Sequence, residues 1–268
     1  MCSVVMPTEG IHETAIIHPS AVIGKNVAVG PYAVIDADTV IGDGCIVGAH
    51  AAIHKYTTVG KNCKFYPGCS IGGDPQDLKF KGEKSYTIIG DNGIFREACT
   101  VGRAVGEGNE TRIGNNILMM AYTHVAHNCI VGNNVIMSNV ATLAGHVIVE
   151  DRAVIGGLSA VHQFCKIGRN VMIGGMARVN QDVPPFMICA GDPAFVSGLN
   201  SVGLARAGMP QEERSQLKKA FRILYHSGLP MQEAIAVMEQ DLDSCEPVEH
   251  LLRFLRNVER GIIRTRRG

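Results

Sequence analysis

The feature that most constrains the fold of this chain is a six-residue period of apolar residues. Counted in steps of six from Ile11 to Val179, 26 of 29 positions carry an apolar side chain. An apolar content of 46% would place about half that number there by chance. The period differs from the 3.6-residue period of a helix and from the alternation of a half-buried strand. It is typical of a hexapeptide-repeat β-helix.

Three such hexapeptides make one triangular coil of 18 residues, with a short strand on each side and a turn at each corner. Successive coils stack about 4.8 Å apart and pair their backbones in parallel sheets. The inward residues then form one continuous apolar column, so each coil is stabilised mainly by its neighbours. The repeat therefore predicts an all-β parallel β-helix and leaves its handedness open.

The composition agrees with a narrow interior. The chain has 31 Gly, no Trp and only 5% aromatic residues, whereas a wide globular core would use more aromatic bulk. The positions counted in steps of six are called frame positions below, and a small or β-branched residue usually lies two positions before each of them. Six of the nine cysteines occupy that place: Cys45, Cys63, Cys69, Cys99, Cys129 and Cys165. A disulfide framework or a zinc site would not keep this phase. We therefore predict buried, reduced cysteines that act as small hydrophobes.

Charge and targeting signals narrow the function classes. Lys+Arg and Asp+Glu both number 25, so no strong overall field points to nucleic acid or to an anionic membrane. Residues 1–10 have no basic stretch followed by a long apolar one, and no run of about 18 apolar residues occurs. We therefore expect a cytoplasmic protein with no membrane span and no nucleic-acid partner.

Two polar, glycine-containing segments interrupt the repeat and preserve its phase on either side. They cover residues 73–85 and 103–110. Because the frame resumes after each of them, we predict loops that extend from the coil wall. Loops on a rigid scaffold often carry function.

The last third of the chain changes character. The repeat ends near residue 185, and helical apolar spacing then follows in three segments that each open with proline: 210–227, 230–242 and 247–261. We therefore predict a β-helix domain over residues 1–193 and a small C-terminal α-helical domain over residues 194–268.

Candidate chemistry concentrates at one edge of the predicted prism. Four of the ten histidines fall within 39 residues of one another: His124, His127, His146 and His162. Wrapping the chain at 18 residues per coil stacks His127, Gly145 and Gln163 at the same corner. A neutral imidazole can take a proton from a hydroxyl, and a nearby backbone N–H can stabilise the oxyanion formed by attack on a thioester. The pattern favours an acyl-transfer site that needs no cofactor.

Several segments resemble one family. The stretches THVAHN at 123–128, LAGH at 143–146 and VHQF at 161–164 resemble the active-site segments of the UDP-N-acetylglucosamine O-acyltransferases of lipid A biosynthesis. PQDLK at 75–79 is similar to the substrate loop of that family, and QDVPP at 181–185 to the end of its β-helix. The resemblance covers nearly the whole chain.

This resemblance implies a left-handed β-helix that transfers a 3-hydroxyacyl chain from acyl carrier protein to the 3-hydroxyl of UDP-N-acetylglucosamine, the first step of lipid A biosynthesis. It implies no cofactor and no metal, since the phosphopantetheine arrives on the carrier protein. Members of the family are homotrimers with active sites between subunits. The resemblance thus implies the same assembly here.

The resemblance also assigns site residues. His127 would be the general base and the Gly145 N–H the oxyanion donor. The substrate-binding residues would be Gln76, Asp77, Lys79, His124, His146, His162, Gln163, Asn200 and Arg206. Among them, Lys79 and Arg206 would meet the diphosphate or nucleotide. Gly175 matches the acyl-chain ruler of the family, and a glycine there leaves the groove open. This implies a long donor of the 3-hydroxymyristoyl class.

Three positions depart from the family pattern. Some members have an acidic residue after the catalytic histidine, where this chain has Asn128. Near Arg206, some members carry a Glu and a second Arg where this chain has Val202 and Ala207. These departures imply that no carboxylate assists His127 from the next position, and that the nucleotide contacts are fewer or rearranged.

The sequence leaves three alternatives open. A hexapeptide carbonic anhydrase would bind zinc through His124, His127 and His146. A non-catalytic β-helix scaffold would use none of these groups. An N-acyltransferase would acylate an amino sugar nucleotide with the same base, although the sister N-acyltransferase of the pathway normally carries an additional N-terminal domain.

Overall fold

The computed structural model describes residues 5–266. Its strands, numbered in chain order, form three sheets on the three sides of a left-handed triangular prism. The first sheet contains β1 (Ile16–Ile17), β4 (Val34–Ile35), β7 (Ala52–Ile53), β10 (Ser70–Gly73), β13 (Thr100–Gly102), β16 (His124–Val125), β19 (Thr142–Leu143), β22 (Ala160–Val161) and β25 (Arg178–Val179).

The other two sheets cover the remaining sides. The second sheet contains β2 (Val22–Ile23), β5 (Val40–Ile41), β8 (Thr57–Val59), β11 (Tyr86–Ile89), β14 (Glu110–Ile113), β17 (Ile130–Val131), β20 (Ile148–Val149) and β23 (Lys166–Ile167). The third contains β3 (Ala28–Val29), β6 (Ile46–Val47), β9 (Lys64–Phe65), β12 (Ile94–Phe95), β15 (Leu118–Met119), β18 (Ile136–Met137), β21 (Val154–Ile155), β24 (Met172–Ile173), β26 (Met187–Ala190) and β27 (Phe195–Leu199). All neighbours in these sheets are parallel except β26 and β27.

Pairing between coils follows the 18-residue repeat. His124 lies opposite Thr142, and Val125 lies opposite Leu143. In these strands the first residue is partly exposed on the outer face, whereas the second is buried. The inward residues of successive coils stack into one apolar column, which confirms the predicted β-helix.

The six cysteines predicted to be interior are all free thiols with at most 1% of their surface exposed. Each lies in the apolar column beside the frame residues. Burial raises the pKa of the Cys129 thiol to about 12. Such a thiol is not a nucleophile at neutral pH, so it contributes packing rather than chemistry.

Two loops leave the prism on the side of the first sheet. The first loop (residues 74–85) joins β10 to β11, and the second loop (residues 103–109) joins β13 to β14. Their bounds lie within one residue of the interruptions in the repeat. Strands β11 and β14 pair over four residues directly after the loops, so the coil wall closes again in register.

The C-terminal part is helical, as predicted. It contains α1 (Ser201–Arg206), α2 (Gln211–His226), α3 (Met231–Asp241) and α4 (Glu246–Arg256). The sequence pattern predicted three helices and missed α1, because six residues are too few to show a helical period. The last helix ends five residues before the predicted end, and the chain then returns to the prism where Ile262 bridges Asp182.

The helices pack around a second core that includes Phe186, Leu204, Leu217 and Leu251. The β26–β27 hairpin connects this core to the prism, and its turn contains residue 193. The division into domains at that residue stays a prediction. None of the helices within the described residues is long and apolar enough to cross a membrane.

Candidate active site

A cleft of about 760 Å³ lies on the outer face of the first sheet, beneath the first loop. Its lining includes seven of the predicted site residues: Gln76, Asp77, Lys79, His124, His127, Gly145 and Gln163. Those from the coils and those from the loop are up to 87 positions apart in sequence. The prism and the loop therefore build one site.

The coil register explains why polar groups meet here. The first residues of β10, β13, β16 and β19 face outward in one row across the sheet: Ser70, Thr100, His124 and Thr142. Each is followed by an apolar residue that enters the core. The row runs beside the corner where His127, Gly145 and Gln163 line the cleft, as the 18-residue wrapping predicted.

The hydrogen bonds around His127 determine which ring nitrogen is available. The Asn128 amide nitrogen donates to the Val105 carbonyl (3.1 Å), and the Asn128 Oδ1 accepts from the Val105 N–H (2.9 Å). This clamp turns Oδ1 toward His127 Nδ1, at 2.8 Å. Because an amide oxygen can only accept, Nδ1 carries the proton. Nε2 of the neutral ring is therefore left with a lone pair, as a general base requires.

Asp77 faces the other side of the imidazole. Its Oδ2 lies 3.7 Å from His127 Nε2, and its Oδ1 accepts from the Lys79 N–H at 2.8 Å. Both side chains are largely shielded, with 26% and 13% of the Asp77 and His127 side chains exposed. A carboxylate at this place stabilises the imidazolium that forms once Nε2 has taken a proton.

Gly145 lies directly against the His127 imidazole. A Cβ on Gly145 would lie 2.6 Å from both Nε2 and Cε1 of His127, so only glycine fits beneath the ring. Within residues 5–266, the Gly145 N–H has no hydrogen-bond acceptor. A free N–H beside a base is the arrangement that an oxyanion hole requires.

Two other histidines are held neutral. His124 Nδ1 lies 2.7 Å from Thr100 Oγ1, and burial, followed by the nearby His127, lowers the His124 pKa. His146 lies edge-on to His127 and stacks on Phe164, and burial again lowers the pKa of its ring. Both rings are therefore uncharged at neutral pH and can only contact a substrate through neutral hydrogen bonds or packing.

Five predicted residues do not line this cleft. His146 contacts the His127 ring edge-on, with 5.2 Å between the ring centres. The exposed His162 directs Nδ1 at the Gln163 carbonyl oxygen, 3.1 Å away. Gly175 is exposed at the corner between the third and first sheets. The other two, Asn200 and Arg206, lie in the C-terminal part.

Asn200 caps α1. Its Oδ1 accepts from the Gly203 N–H (3.1 Å), and its amide nitrogen donates to the Asn170 carbonyl (2.9 Å). Arg206 is exposed in the last turn of α1. Within one chain, then, neither residue reaches the cleft, and their binding roles stay predictions.

The sequence reasoning missed Arg103 and gave Asn128 no site role. Arg103 is only 1% exposed and binds Asp74 of the first loop. A signal was present in the sequence, since Gly73 and Gly102 pair across β10 and β13, and oppositely charged residues follow both. Such a pair is visible only when the coil register is known.

No group of three or more His, Cys, Asp or Glu side chains in residues 5–266 is arranged to hold a metal ion. Two of the three histidines that the zinc alternative would use direct Nδ1 at protein groups instead. His124 pairs with Thr100, and His127 pairs with Asn128.

Comparisons with known proteins agree with this geometry. Residues 20–55 match the family profile described as bacterial transferase hexapeptide (six repeats), and residues 182–263 match that of Udp N-acetylglucosamine O-acyltransferase, domain 2. A relative named acyl-[acyl-carrier-protein]--UDP-N-acetylglucosamine O-acyltransferase from Trichlorobacter lovleyi is 55% identical over 95% of this chain and 99% of its own. A relative of the same name from Sulfurihydrogenibium is 58% identical over 94% of this chain and 93% of its own.

Solved structures give the same result. LpxA from Acinetobacter baumannii superimposes with a TM-score of 0.92 at 38% identity, over 95% of this chain and 99% of that one. A UDP-N-acetylglucosamine acyltransferase from Bacteroides fragilis gives 0.91 at 41% identity, over 94% and 99%. The chain has a prism, a helical tail and a histidine cleft, and its relatives match it over nearly their full length. This chain therefore belongs to the UDP-N-acetylglucosamine O-acyltransferase family.

Proposed function

We propose that this chain transfers a 3-hydroxyacyl group from acyl carrier protein to the 3-hydroxyl of UDP-N-acetylglucosamine, the first step of lipid A biosynthesis. The observation that carries the proposal is the His127–Gly145 pair. A base with a free Nε2 and an unpaired backbone N–H lie in contact within one cleft. Family membership supplies the substrates, since the relatives are named for both of them.

The reaction proceeds in two balanced steps. The sugar 3-hydroxyl gives its proton to His127 Nε2 while its oxygen attacks the thioester carbonyl carbon, and the carbonyl oxygen becomes an oxyanion that accepts from the Gly145 N–H. The C–S bond then breaks. The imidazolium returns its proton to the leaving sulfur, which releases the carrier protein as a free thiol and the sugar as an ester. No cofactor is needed for these steps.

The first loop supplies the groups proposed to hold the sugar nucleotide. Asp77 lies where a sugar hydroxyl approaches His127, and its negative charge favours the transient imidazolium. Lys79 is exposed at the lip of the cleft, where a cation suits the diphosphate. Gln76 lines the cleft near them and Gln163 lines its opposite wall.

An apolar stripe on the prism supports the predicted homotrimer. The outward residues of five successive strands of the third sheet are apolar and partly exposed: Ile94, Leu118, Ile136, Val154 and Met172. The next corner adds four exposed apolar residues: Tyr122, Val140, Leu158 and Met176. A contiguous stripe of this size marks a protein interface. We infer that neighbouring copies cover it and bring their Asn200 and Arg206 toward a cleft that is not their own.

The acyl chain is proposed to lie along this same corner, where Gly175 is exposed. Glycine adds no side chain to this surface, and a Cβ there would meet only the Gly157 carbonyl oxygen within 4 Å, at 3.3 Å. An unblocked groove supports a long donor of the 3-hydroxymyristoyl class. Because one methylene changes binding by only about 1–3 kcal/mol, neighbouring chain lengths should also react.

The proposed function is tested with purified protein, a series of 3-hydroxyacyl carrier proteins of different length, and sugar nucleotides that carry a 3-hydroxyl or a 3-amino group. Mass spectrometry should detect an O-acylated UDP-N-acetylglucosamine. The variant His127→Ala should lower kcat by about 10²–10⁴-fold. His18→Ala, at an exposed corner far along the prism, serves as the matched control.

An enzyme that acylates only the 3-amino sugar would replace the O-acyl proposal with N-acyl transfer. Absence of transfer from every donor, or full activity of His127→Ala, would disprove the proposed mechanism. The cytoplasmic location stays a prediction.

A further inference from the structure

The first and second loops are joined into one unit by hydrogen bonds. The Ser85 hydroxyl donates to the Ala104 carbonyl, and the Gly106 N–H donates to the Glu83 carboxylate at 2.9 Å. These bonds connect segments about twenty residues apart in sequence. The loops therefore hold each other in place above the first sheet.

Arg103 lies at the centre of this unit. Its Nε and Nη2 both donate to Asp74 Oδ1, at 3.0 and 2.8 Å, and its Nη1 donates to the Glu83 carbonyl at 2.9 Å. The guanidinium carbon lies 4.7 Å from the centre of the Phe80 ring. With 1% of its side chain exposed, Arg103 is a buried cation that joins the two loops, and its guanidinium carbon also lies 5.7 Å from the centre of the Tyr56 ring of the coil.

Each loop also controls one nitrogen of His127. The first loop places the Asp77 carboxylate 3.7 Å from Nε2. The second loop supplies the Val105 backbone groups that clamp the Asn128 amide, which in turn accepts from Nδ1. A shift of the joined loops would therefore disturb both ends of the same imidazole.

We propose that Arg103 is a positioning residue that couples the sugar-binding first loop to the orientation of the catalytic imidazole. It acts through Asp77 on one side and Asn128 on the other, and does not itself touch the substrate. The proposal rests on the proposed acyl transfer, because it concerns the base of that reaction.

The chemistry of the side chain explains why arginine is required. A planar guanidinium reaches Asp74 and the Glu83 carbonyl at the same time and stacks on Phe80, whereas a lysine ammonium cannot do all three. Without these bonds the first loop loses its anchor and Asp77 moves. A displacement of about 1 Å at a catalytic site costs about 100-fold in rate.

The experiment compares Arg103→Lys and Arg103→Gly with the wild type in the transfer assay. Arg112→Lys is the matched control, since Arg112 lies on β14, outside both loops, with 52% of its side chain exposed. We expect Arg103→Lys to lower kcat/KM for UDP-N-acetylglucosamine about 100-fold, with a higher KM for the sugar and an unchanged KM for the acyl carrier protein. Millimolar guanidinium should restore part of the activity of Arg103→Gly, and Arg112→Lys should match the wild type.

A role confined to stability predicts a different result. Guanidinium would then raise the Tm of Arg103→Gly without restoring turnover, and that outcome overturns the proposal, as does wild-type kcat/KM in Arg103→Lys. Should the Arg103 variants fail to fold, Asp74→Ala provides the test, because its side chain is 66% exposed and its loss leaves the core intact. It should lower kcat/KM for the sugar nucleotide about tenfold, and wild-type kinetics would again overturn the proposal.

Amide hydrogen exchange separates this proposal from the proposed function. In Arg103→Lys, residues of both loops should exchange faster together, whether or not the wild type transfers acyl groups. Faster exchange in one loop alone would refute the coupling. An inactive wild type would instead refute the acyl transfer.

Discussion

Replacing Gly145 by alanine tests the active-site geometry most directly. The new Cβ would lie 2.6 Å from Nε2 and Cε1 of His127, whereas ordinary contacts begin at 3.4 Å. Because the new Cβ is fixed to the backbone and meets only side-chain atoms of His127, the imidazole has to retreat by about 0.8 Å. The backbone of Gly145 is not in the left-handed region, so alanine adds no strain of its own.

The expected cost falls on catalysis more than on folding. A base displaced by about 1 Å loses about 100-fold in rate, and misalignment of the oxyanion donor can cost about 10²–10³-fold. Overpacking costs about 1–3 kcal/mol of folding free energy, which lowers the Tm by a few degrees in a chain of this length. We therefore expect kcat/KM to fall at least about 100-fold while the protein remains folded.

The assay measures kcat and KM for UDP-N-acetylglucosamine together with the Tm. The control is Gly198→Ala, whose new Cβ would meet no atom within 4 Å. It should keep wild-type kinetics and stability. If Gly145→Ala retained activity within threefold of the wild type, the close contact between Gly145 and the base would not matter for the reaction, and the oxyanion assignment would be wrong.

Three further predictions concern the surroundings of the base and the assembly. Asn128→Asp replaces a donor by an acceptor that faces the Val105 carbonyl at 3.1 Å, so we expect a loss of about 1–3 kcal/mol in denaturant unfolding. Burial lowers the pKa values of His124 and His146 below the ordinary 6.5. Their neutral forms therefore stabilise the fold fully above pH 6.5, and this stability is lost as the pH falls through the lowered pKa values. A His146→Gln variant should accordingly show a weaker fall of Tm on acidification. Leu158→Glu, in the exposed apolar stripe, should convert a trimer into smaller species in analytical ultracentrifugation and lower activity, whereas a trimeric, active variant would contradict the proposed interface.

The fold was predictable because its information is local and repeated. Nearly every hexapeptide carries an apolar residue at the same inward position. A polar residue at a single position, such as Asp77, does not change the phase of the other hexapeptides. The same phase placed His127, Gly145 and Gln163 at one corner, where the cleft contains all three. Helix α1 escaped prediction because a six-residue helix has no room for a period.

The sequence alone thus determined the prism, its buried cysteines and the edge on which the histidines converge, since a strict period fixes which residues of distant coils are neighbours. Only the tertiary structure decided how the two loops fold over that edge. The burial of Arg103, the clamp of Val105 on Asn128 and the approach of Asp77 to the imidazole all depend on side chains that meet without any periodic rule. Because irregular loops are held by such individual contacts, their arrangement, and with it the protonated nitrogen of His127, becomes visible only in three dimensions.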